Sequence, residues 1–333
     1  MGERLLEVRG LRVAYASESG PVVPVDDVSL DLDEGEFLGI VGESGCGKST
    51  LLYAIARLLG PPLGGEILDG SIVFRGRDMV ALSERRLRHI RWRELSVVMQ
   101  SAMNALNPVL TIEAQLRDAC RAHSTMSARE IRARSEEVLR LVGIDPLHLR
   151  SYPHQLSGGM RQRAMIAMAL LFTPDLVIMD EPTSALDVVA QRSLMKQIKQ
   201  LQDQLSFAVI FVTHDMSLVS HFSDRLAVMY AGQIVELGPT RRVFDAPLHP
   251  YTRGLLDSFP SVAGPRTHLA GIPGSPPDLV EPPSGCRFAP RCPLATDRSH
   301  AVPPPLVDVG GDLVRCHLYV PDAEPAPAAA VEA

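Results

Sequence analysis

The fold of this chain is decided by the stretch Gly42-Glu43-Ser44-Gly45-Cys46-Gly47-Lys48-Ser49-Thr50. It matches the phosphate-binding loop pattern G-x-x-x-x-G-K-[ST] at every fixed position. The apolar run from Phe37 to Val41 precedes it and predicts a buried strand, whereas Leu51 to Leu59 predicts a helix. Strand, glycine loop and helix in this order are the context that the motif requires. The stretch therefore predicts a nucleotide-binding site in an α/β fold.

The chemistry of this loop follows from its residue types. Its glycines allow backbone N–H groups to turn toward phosphate, and a helix N-terminus adds partial positive charge. Lys48 supplies a full charge, and the Ser49 hydroxyl is a ligand for Mg²⁺. We expect ATP to contact most of the loop: Gly42, Ser44, Gly45, Cys46, Gly47, Lys48, Ser49 and Thr50. Cys46 is either a small side chain at a variable position or a reactive thiol whose pKa the helix N-terminus lowers.

Composition and charge narrow the function classes. The chain has 333 residues, enough for one large and one small domain, and a net charge of −6. That acidic balance is not typical of a nucleic-acid-binding protein. No run of about 18 apolar residues is present, so we expect any membrane role to act through a partner. The first residues do not resemble an export signal, and we expect a reducing compartment for the five cysteines.

Polar side chains follow three predicted strands directly. Gln100 follows Leu95 to Met99, the pair Asp180–Glu181 ends an apolar run, and His214 follows Phe207 to Val212. Because ligands of such sheets bind at the carboxyl ends of the strands, we expect these side chains to meet at the phosphate site. Asp180 would hold Mg²⁺, Gln100 would ligate Mg²⁺ or hold the attacking water, and Glu181 would orient or deprotonate that water. His214 would lie near the γ-phosphate.

Two other features are ambiguous when taken alone. Tyr15 ends a predicted strand upstream of the loop, where it either packs or stacks on an adenine ring. Leu156 to Met160 contains Ser157, Gly158 and Gly159 at the start of a predicted helix. This segment is either an ordinary capped helix or a second anion-binding helix start.

Taken together, these motifs resemble those of ATP-binding-cassette (ABC) ATPases in order and approximate spacing, over roughly residues 5–245. Ser184 to Asp187 belongs to the same set. The resemblance implies head-to-tail pairs of subunits, in which Ser157, Gly158, Gly159 and Asp187 of one subunit act on the nucleotide of the other. It also implies that Tyr15 stacks on adenine, that Glu181 is the catalytic base and that His214 contacts the γ-phosphate.

The resemblance also implies the fold class and the domain organisation. We expect an α/β, ABC-type P-loop domain at residues 1–258, with a mixed sheet core, an antiparallel β subdomain and a helical insertion at about 104–170. A small, irregular, Pro- and Cys-rich C-terminal domain would follow at 259–322. Residues 323–333 would form a disordered tail.

The C-terminal sequence resembles the ATP-binding subunits of oligopeptide and dipeptide importers, on residues 248–256 and especially 285–295. The resemblance implies an ATPase that uses Mg²⁺ and powers peptide uptake from the cytoplasmic face of the cell (inner) membrane. Its partners would be a second ATPase subunit, preferably a paralogue, two transmembrane permease subunits and an extracytoplasmic substrate-binding protein. Nucleic acid is not an expected partner. The alternatives are the same role for an oligosaccharide or nickel, or a soluble ABC ATPase acting on ribosomes or DNA.

Cys286, Cys292 and Cys316 fall together in this tail. Relatives with four tail cysteines suggest an iron–sulfur cluster, but the expected third position here is Ser299. Three thiolates with His300 or His317 nearby, or a three-iron form, remain open. The alternatives are a zinc site and three reduced cysteines without metal.

Overall fold

The computed structural model describes residues 3–61, 63–100, 105–183, 186–258 and 271–320. Its strands are β1 (Arg4–Tyr15), β2 (Val22–Asp33), β3 (Phe37–Val41), β4 (Gly65–Phe74), β5 (Arg77–Asp78), β6 (Leu95–Val98), β7 (Leu176–Asp180), β8 (Ala208–Val212), β9 (Arg225–Tyr230), β10 (Gln233–Pro239), β11 (Val307–Val309) and β12 (Asp312–Val314). Its helices are α1 (Lys48–Ile55), α2 (Glu84–Ile90), α3 (Ile112–His123), α4 (Ala128–Leu141), α5 (Gly158–Ala169), α6 (Val188–Leu205), α7 (Met216–Phe222), α8 (Thr240–Asp245), α9 (Pro250–Asp257) and α10 (Asp297–Ala301).

The larger sheet has the order β11-β12-β10-β9-β3-β8-β7-β6 within the described residues. Its five strands from β9 to β6 are parallel, and β10, β12 and β11 continue it in antiparallel pairs. β3, β7 and β8 are buried at every position, as continuous apolar runs in a parallel sheet should be. The predicted mixed sheet is therefore confirmed. Its parallel strands direct their carboxyl ends to one edge.

The smaller sheet is antiparallel, with the order β2-β1-β4-β5 in the described part of the chain. The inward side chains of β1 and β2 alternate with outward ones and pack on α1 and the strands of the larger sheet in one apolar cluster. This arrangement confirms the predicted antiparallel β subdomain. It also places Tyr15, at the end of β1, opposite Gly65 at the start of β4.

Three helices, α3, α4 and α5, form most of the predicted helical insertion. Amphipathic faces hold α3 and α4 against α5, and their buried residues join the second apolar cluster. Ser127 caps α4 in a capping box with Glu130, which explains where that helix begins. The predicted start of the insertion, at about residue 104, lies outside the described residues.

Much of the C-terminal segment at residues 271–320 has no helix or strand, but two short strands join it to the main sheet. β12 pairs with β10 through Glu236–Val314 and Leu237–Leu313, so the segment extends the main sheet. Arg315 also donates its backbone N–H to the Val235 carbonyl at 2.9 Å. Cysteine and proline content carries no information about such strand pairing, so the sequence did not predict it. The domain boundary at 258 and the tail 323–333 stay predictions, because residues 259–270 and 321–333 lie outside the described ranges.

Among the described helices, none is both long enough and apolar enough to cross a membrane.

Candidate active site

The phosphate loop connects β3 to α1, as predicted. Gly47 occupies the left-handed region at φ 105°, directly before the helix, where a Cβ would overlap the Pro24 carbonyl. The loop is also held by Gly232, between β9 and β10, whose N–H donates to the Cys46 carbonyl at 2.9 Å. Lys48 is nearly buried, and its Nζ donates to the carbonyls of Gly42 (2.8 Å) and Glu43 (2.9 Å). A nucleotide phosphate in the loop would meet this ammonium group.

Asp180 has the environment of a metal-binding carboxylate. It is fully buried at the end of β7, and burial raises its pKa, while hydrogen bonds from Ser49 and Tyr53 oppose that rise. The Tyr53 hydroxyl donates to Oδ2 at 3.3 Å, but Oδ1 is buried and has no hydrogen-bond partner. A buried oxygen without a partner, beside a serine hydroxyl, suits Mg²⁺, a cation that prefers oxygen ligands. These residues therefore fit the metal that the sequence predicts.

Gln100, Glu181 and His214 come together at the carboxyl ends of their strands, as predicted. Gln100 Nε2 donates to Glu181 Oε2 at 3.0 Å, and His214 Nδ1 lies 3.5 Å from Glu181 Oε1. Glu181 has φ 44°, unusual for a residue with a side chain, and its N–H donates to the Val212 carbonyl at 2.9 Å. Glu181 and Lys48 both lie close enough to Asp180 to affect its pKa, so the cluster adjoins the phosphate loop. The arrangement brings a carboxylate, a polar amide and an imidazole into one cluster.

Of the residues expected to act on a second subunit's nucleotide, Ser157 and Asp187 are exposed, and Gly158 and Gly159 are partly exposed. Ser157 caps α5 by accepting from the Met160 N–H, and Asp187 caps α6 by accepting from the Ala190 N–H. Both side chains are open to solvent, and the apolar Val188 and Val189 beside Asp187 are 69% and 79% exposed. Ser184 and Ala185 lie outside the described residues. Capping and exposure are compatible with an in-trans role, which stays a prediction.

Tyr15 and Cys46 had two open interpretations each. Tyr15 is partly buried at the end of β1, where a Cβ on Gly65 would come within 2.7 Å of its ring. Its ring thus packs on the sheet while one part stays accessible, and adenine stacking stays a prediction. Cys46 is 4% exposed, and burial raises the pKa of its thiol despite the nearby Lys48 ammonium. Desolvation thus outweighs the positive charge and favours the interpretation of Cys46 as a small buried side chain, while the reactivity of its thiol stays a prediction.

The three C-terminal cysteines line a common cavity of about 170 Å³, together with Ser299 and His317. The Ser299 hydroxyl is used in hydrogen bonds with Thr296 at the start of α10. Burial raises the pKa of each of the three thiols, which disfavours the thiolate that binds metal. In the described part of the chain, no group of three or more His, Cys, Asp or Glu side chains is arranged to hold a metal ion. As arranged, these residues do not fit the predicted iron–sulfur cluster.

Sequence reasoning missed several residues of the site. Tyr53 lies one helical turn after Ser49, a spacing that would have placed it beside the metal-binding carboxylate. Tyr251, on α9, accepts from the Glu43 N–H at 3.0 Å, and Arg291 pairs with the Glu43 carboxylate. Nothing local in the sequence predicts these two contacts, because they join residues more than 200 positions apart.

Comparison with known proteins agrees with this geometry. A family model described as ABC transporter matches residues 25–184, and one described as oligopeptide/dipeptide transporter, C-terminal region, matches residues 235–298. The dipeptide transport ATP-binding protein DppD of Caldanaerobacter subterraneus is 42% identical over 318 residues, covering 95% of this chain and 97% of that protein. The chain belongs to the ABC transporter family. The oligopeptide transport ATP-binding protein OppD of Bacillus subtilis is 42% identical, with 96% of this chain and 90% of that protein covered.

Solved structures of the ABC family have the same fold. The ATP-binding cassette MJ0796, a dimer in a post-hydrolysis state bound to ADP and Pi, has a TM-score of 0.63 and 28% identity; the match covers 71% of this chain and 99% of that one. This chain is thus an ABC-type ATPase, whose hydrolysis of ATP drives transport.

Mg²⁺ at Asp180 and Ser49 would neutralise charge that develops on the phosphates. Lys48 would bind and orient those phosphates.

Proposed function

We propose that this ABC ATPase is the motor subunit of an importer for di- and oligopeptides. The observation that carries the proposal is the match of residues 235–298 to the oligopeptide/dipeptide transporter C-terminal region. Its relatives at 42–46% identity are named as dipeptide and oligopeptide transport ATP-binding proteins. The ATPase site is shared by all ABC motors, whereas the C-terminal segment is the part that distinguishes this branch.

In this role the chain works with a second ATPase subunit, two transmembrane permease subunits and an extracytoplasmic substrate-binding protein. It is bound peripherally at the cytoplasmic face of the membrane. The exposed valines beside Asp187 support a partner at that position, since a second subunit would remove them from water. The residue roles belong to the same proposal. Glu181 is the base, His214 contacts the γ-phosphate, and Ser157, Gly158, Gly159 and Asp187 act in trans.

Reconstitution of the whole importer in lipid vesicles tests this function. The permease and ATPase subunits encoded with this chain are purified together, and the binding protein is loaded in turn with a dipeptide, an oligopeptide, nickel or an oligosaccharide. We expect peptide-loaded binding protein to stimulate ATP hydrolysis and peptide uptake, while the other solutes do neither. Stimulation by nickel or by the oligosaccharide alone would refute the peptide assignment and keep the motor role.

The iron–sulfur cluster stays a prediction of the sequence, without support from the arrangement of Cys286, Cys292 and Cys316. Anaerobic purification, followed by measurement of iron, zinc and acid-labile sulfide per chain, decides it. Near-stoichiometric iron and sulfide, lost on replacement of any of these cysteines, would establish a cluster. Iron-free protein with intact ATPase activity would make the segment a structural arm, or a zinc site if zinc is found instead.

A further inference from the structure

The C-terminal segment reaches the phosphate loop itself. Arg291 ends the 3₁₀ turn Ala289–Arg291 and forms a two-pronged ion pair with Glu43, the second residue of the loop. Its Nη1 donates to Glu43 Oε2 at 2.8 Å and its Nη2 donates to Oε1 at 3.0 Å. This is the parallel geometry in which a guanidinium recognises a carboxylate with most directional specificity. A residue outside the nucleotide-binding motifs therefore holds one of the motif's own side chains.

Arg291 is itself held in place from several sides. Its side chain is only 5% exposed. Nε donates to the Pro273 carbonyl at 2.8 Å, and its guanidinium lies 5.7 Å from the centre of the Tyr230 ring. Nη1 and Nη2 also reach the Tyr230 hydroxyl and the Ile272 carbonyl, each at 3.3 Å. Several contacts thus fix the guanidinium of Arg291, so its ion pair also restricts the position of the Glu43 side chain.

Glu43, which Arg291 holds, is hydrogen-bonded to Lys48, the residue expected to contact phosphate. The Glu43 carbonyl accepts from Lys48 Nζ at 2.9 Å, and its N–H donates to the Tyr251 hydroxyl at 3.0 Å. Tyr251 is fully buried against Tyr230 and Phe288, so this partner is also fixed. Both the backbone and the side chain of Glu43 are therefore set by groups on the C-terminal side of the cassette. A flexible glycine loop held in this way loses less conformational freedom when it binds phosphate.

We propose that Arg291 is a positioning residue for ATP binding, which acts through Glu43 to hold the phosphate loop in its binding conformation. The C-terminal segment then sets the affinity for ATP in addition to any contact that it makes with partners. Coupling is reciprocal, so bound ATP stabilises the docked segment to the same extent. Arg291 touches no phosphate in this scheme. Its effect appears in nucleotide affinity, and turnover at saturating ATP changes little.

Titration calorimetry of the full chain with Mg-ATP tests the proposal. We expect Arg291→Met and Glu43→Met each to raise Kd about 5- to 20-fold, a typical range for coupling between two sites. The Kd of the double variant should not exceed the higher Kd of the two single variants, because both substitutions remove the same interaction. Arg291→Lys keeps the charge but loses the two-pronged geometry, so its loss should be smaller. Multiplying effects in the double variant would overturn the proposal.

The matched control is Arg242→Met. Arg242 on α8 pairs with Asp312 on β12 and so also joins the C-terminal segment to the cassette, but it does not touch the phosphate loop. We expect its Kd for Mg-ATP to stay within about twofold of the wild-type value. An increase equal to that of Arg291→Met would mean that docking of the segment in general matters and would refute a specific role for Arg291.

Hydrogen exchange distinguishes positioning from simple stabilisation. We expect Mg-ATP to slow amide exchange at residues 286–292 in the wild-type chain, and this protection should disappear in Glu43→Met. Glu43 is a quarter exposed, so this variant keeps the test available if Arg291→Met does not fold. Equal protection in the wild type and in Glu43→Met would refute the coupling.

Discussion

Replacing Glu181 with Gln tests the assignment of the catalytic base. The carboxylate is 19% exposed and accepts from Gln100 Nε2 at 3.0 Å, with His214 Nδ1 at 3.5 Å. A glutamine has the same length, and its carbonyl can still accept the hydrogen bond from Gln100. The substitution therefore removes the negative charge and the basicity of residue 181 while it preserves the packing and one hydrogen bond.

The expected magnitude follows from what is removed. A positioned general base contributes about 10²–10⁴-fold to a rate, which corresponds to about 3–5 kcal/mol of barrier. The phosphate contacts of Lys48 and the carboxylate of Asp180 are untouched, so the Kd for Mg-ATP should stay within about threefold. His214→Ala should cost less than Glu181→Gln, because His214 is 68% exposed and its contact with Glu181 is long.

The assay is ATP hydrolysis by the assembled importer at saturating Mg-ATP, with Kd measured separately by titration calorimetry. Glu84→Gln is the control, since Glu84 is 74% exposed and its carboxylate pairs with Arg91, not with Gln100 or His214. We expect that control to hydrolyse ATP at the wild-type rate. A Glu181→Gln rate within threefold of wild type would remove Glu181 as the base. A large rise in Kd would instead assign it to binding.

Three other predictions follow from the site and its support. Lys48→Met should weaken Mg-ATP binding at least about 100-fold in calorimetry, because it removes the buried charge of the loop, and unchanged affinity would contradict this role. Tyr53→Phe removes a donor to Asp180, and we expect the Mg²⁺ concentration for half-maximal hydrolysis to change by about 3–10-fold, with no change refuting the link. Burial lowers the pKa of His249 from 6.5 to about 3. Between pH 3 and pH 6.5 the unfolded state therefore binds more protons than the folded state. The free energy of unfolding rises with pH in that range. Chemical denaturation should thus show about 2 kcal/mol less stability at pH 5 than at pH 7 from this group, and His249→Asn should lose that dependence.

Much of the active site could be predicted because its residues follow regular elements directly. Gln100, Glu181 and His214 each lie just after an apolar strand, and the carboxyl ends of parallel strands share one edge. The phosphate loop needs only its local glycines and the helix that follows. In both cases residues close in the sequence already determine where the side chain points.

The support around that site could not be predicted in the same way. Arg291 meets Glu43 across 248 positions, and β12 joins β10 although composition suggested an irregular segment. Such contacts leave no periodicity in the sequence, because each partner is chosen by the packing of the whole chain. Burial also favours one of the two interpretations of Cys46, because desolvation of its thiol outweighs the effect of the helix N-terminus on the thiol pKa.

By itself, then, the sequence predicted where the chemistry of this protein lies: a phosphate loop, with a buried carboxylate, a second carboxylate, an amide and an imidazole at one edge of a parallel sheet. Only the tertiary structure decided how that loop is held, through Tyr251 and Arg291, which lie more than 200 positions away in the chain. The physical reason is the separation, along the sequence, of the residues that interact. Motif chemistry depends on neighbours a few residues away, whereas the placement of a loop depends on side chains that folding brings from distant parts of the chain.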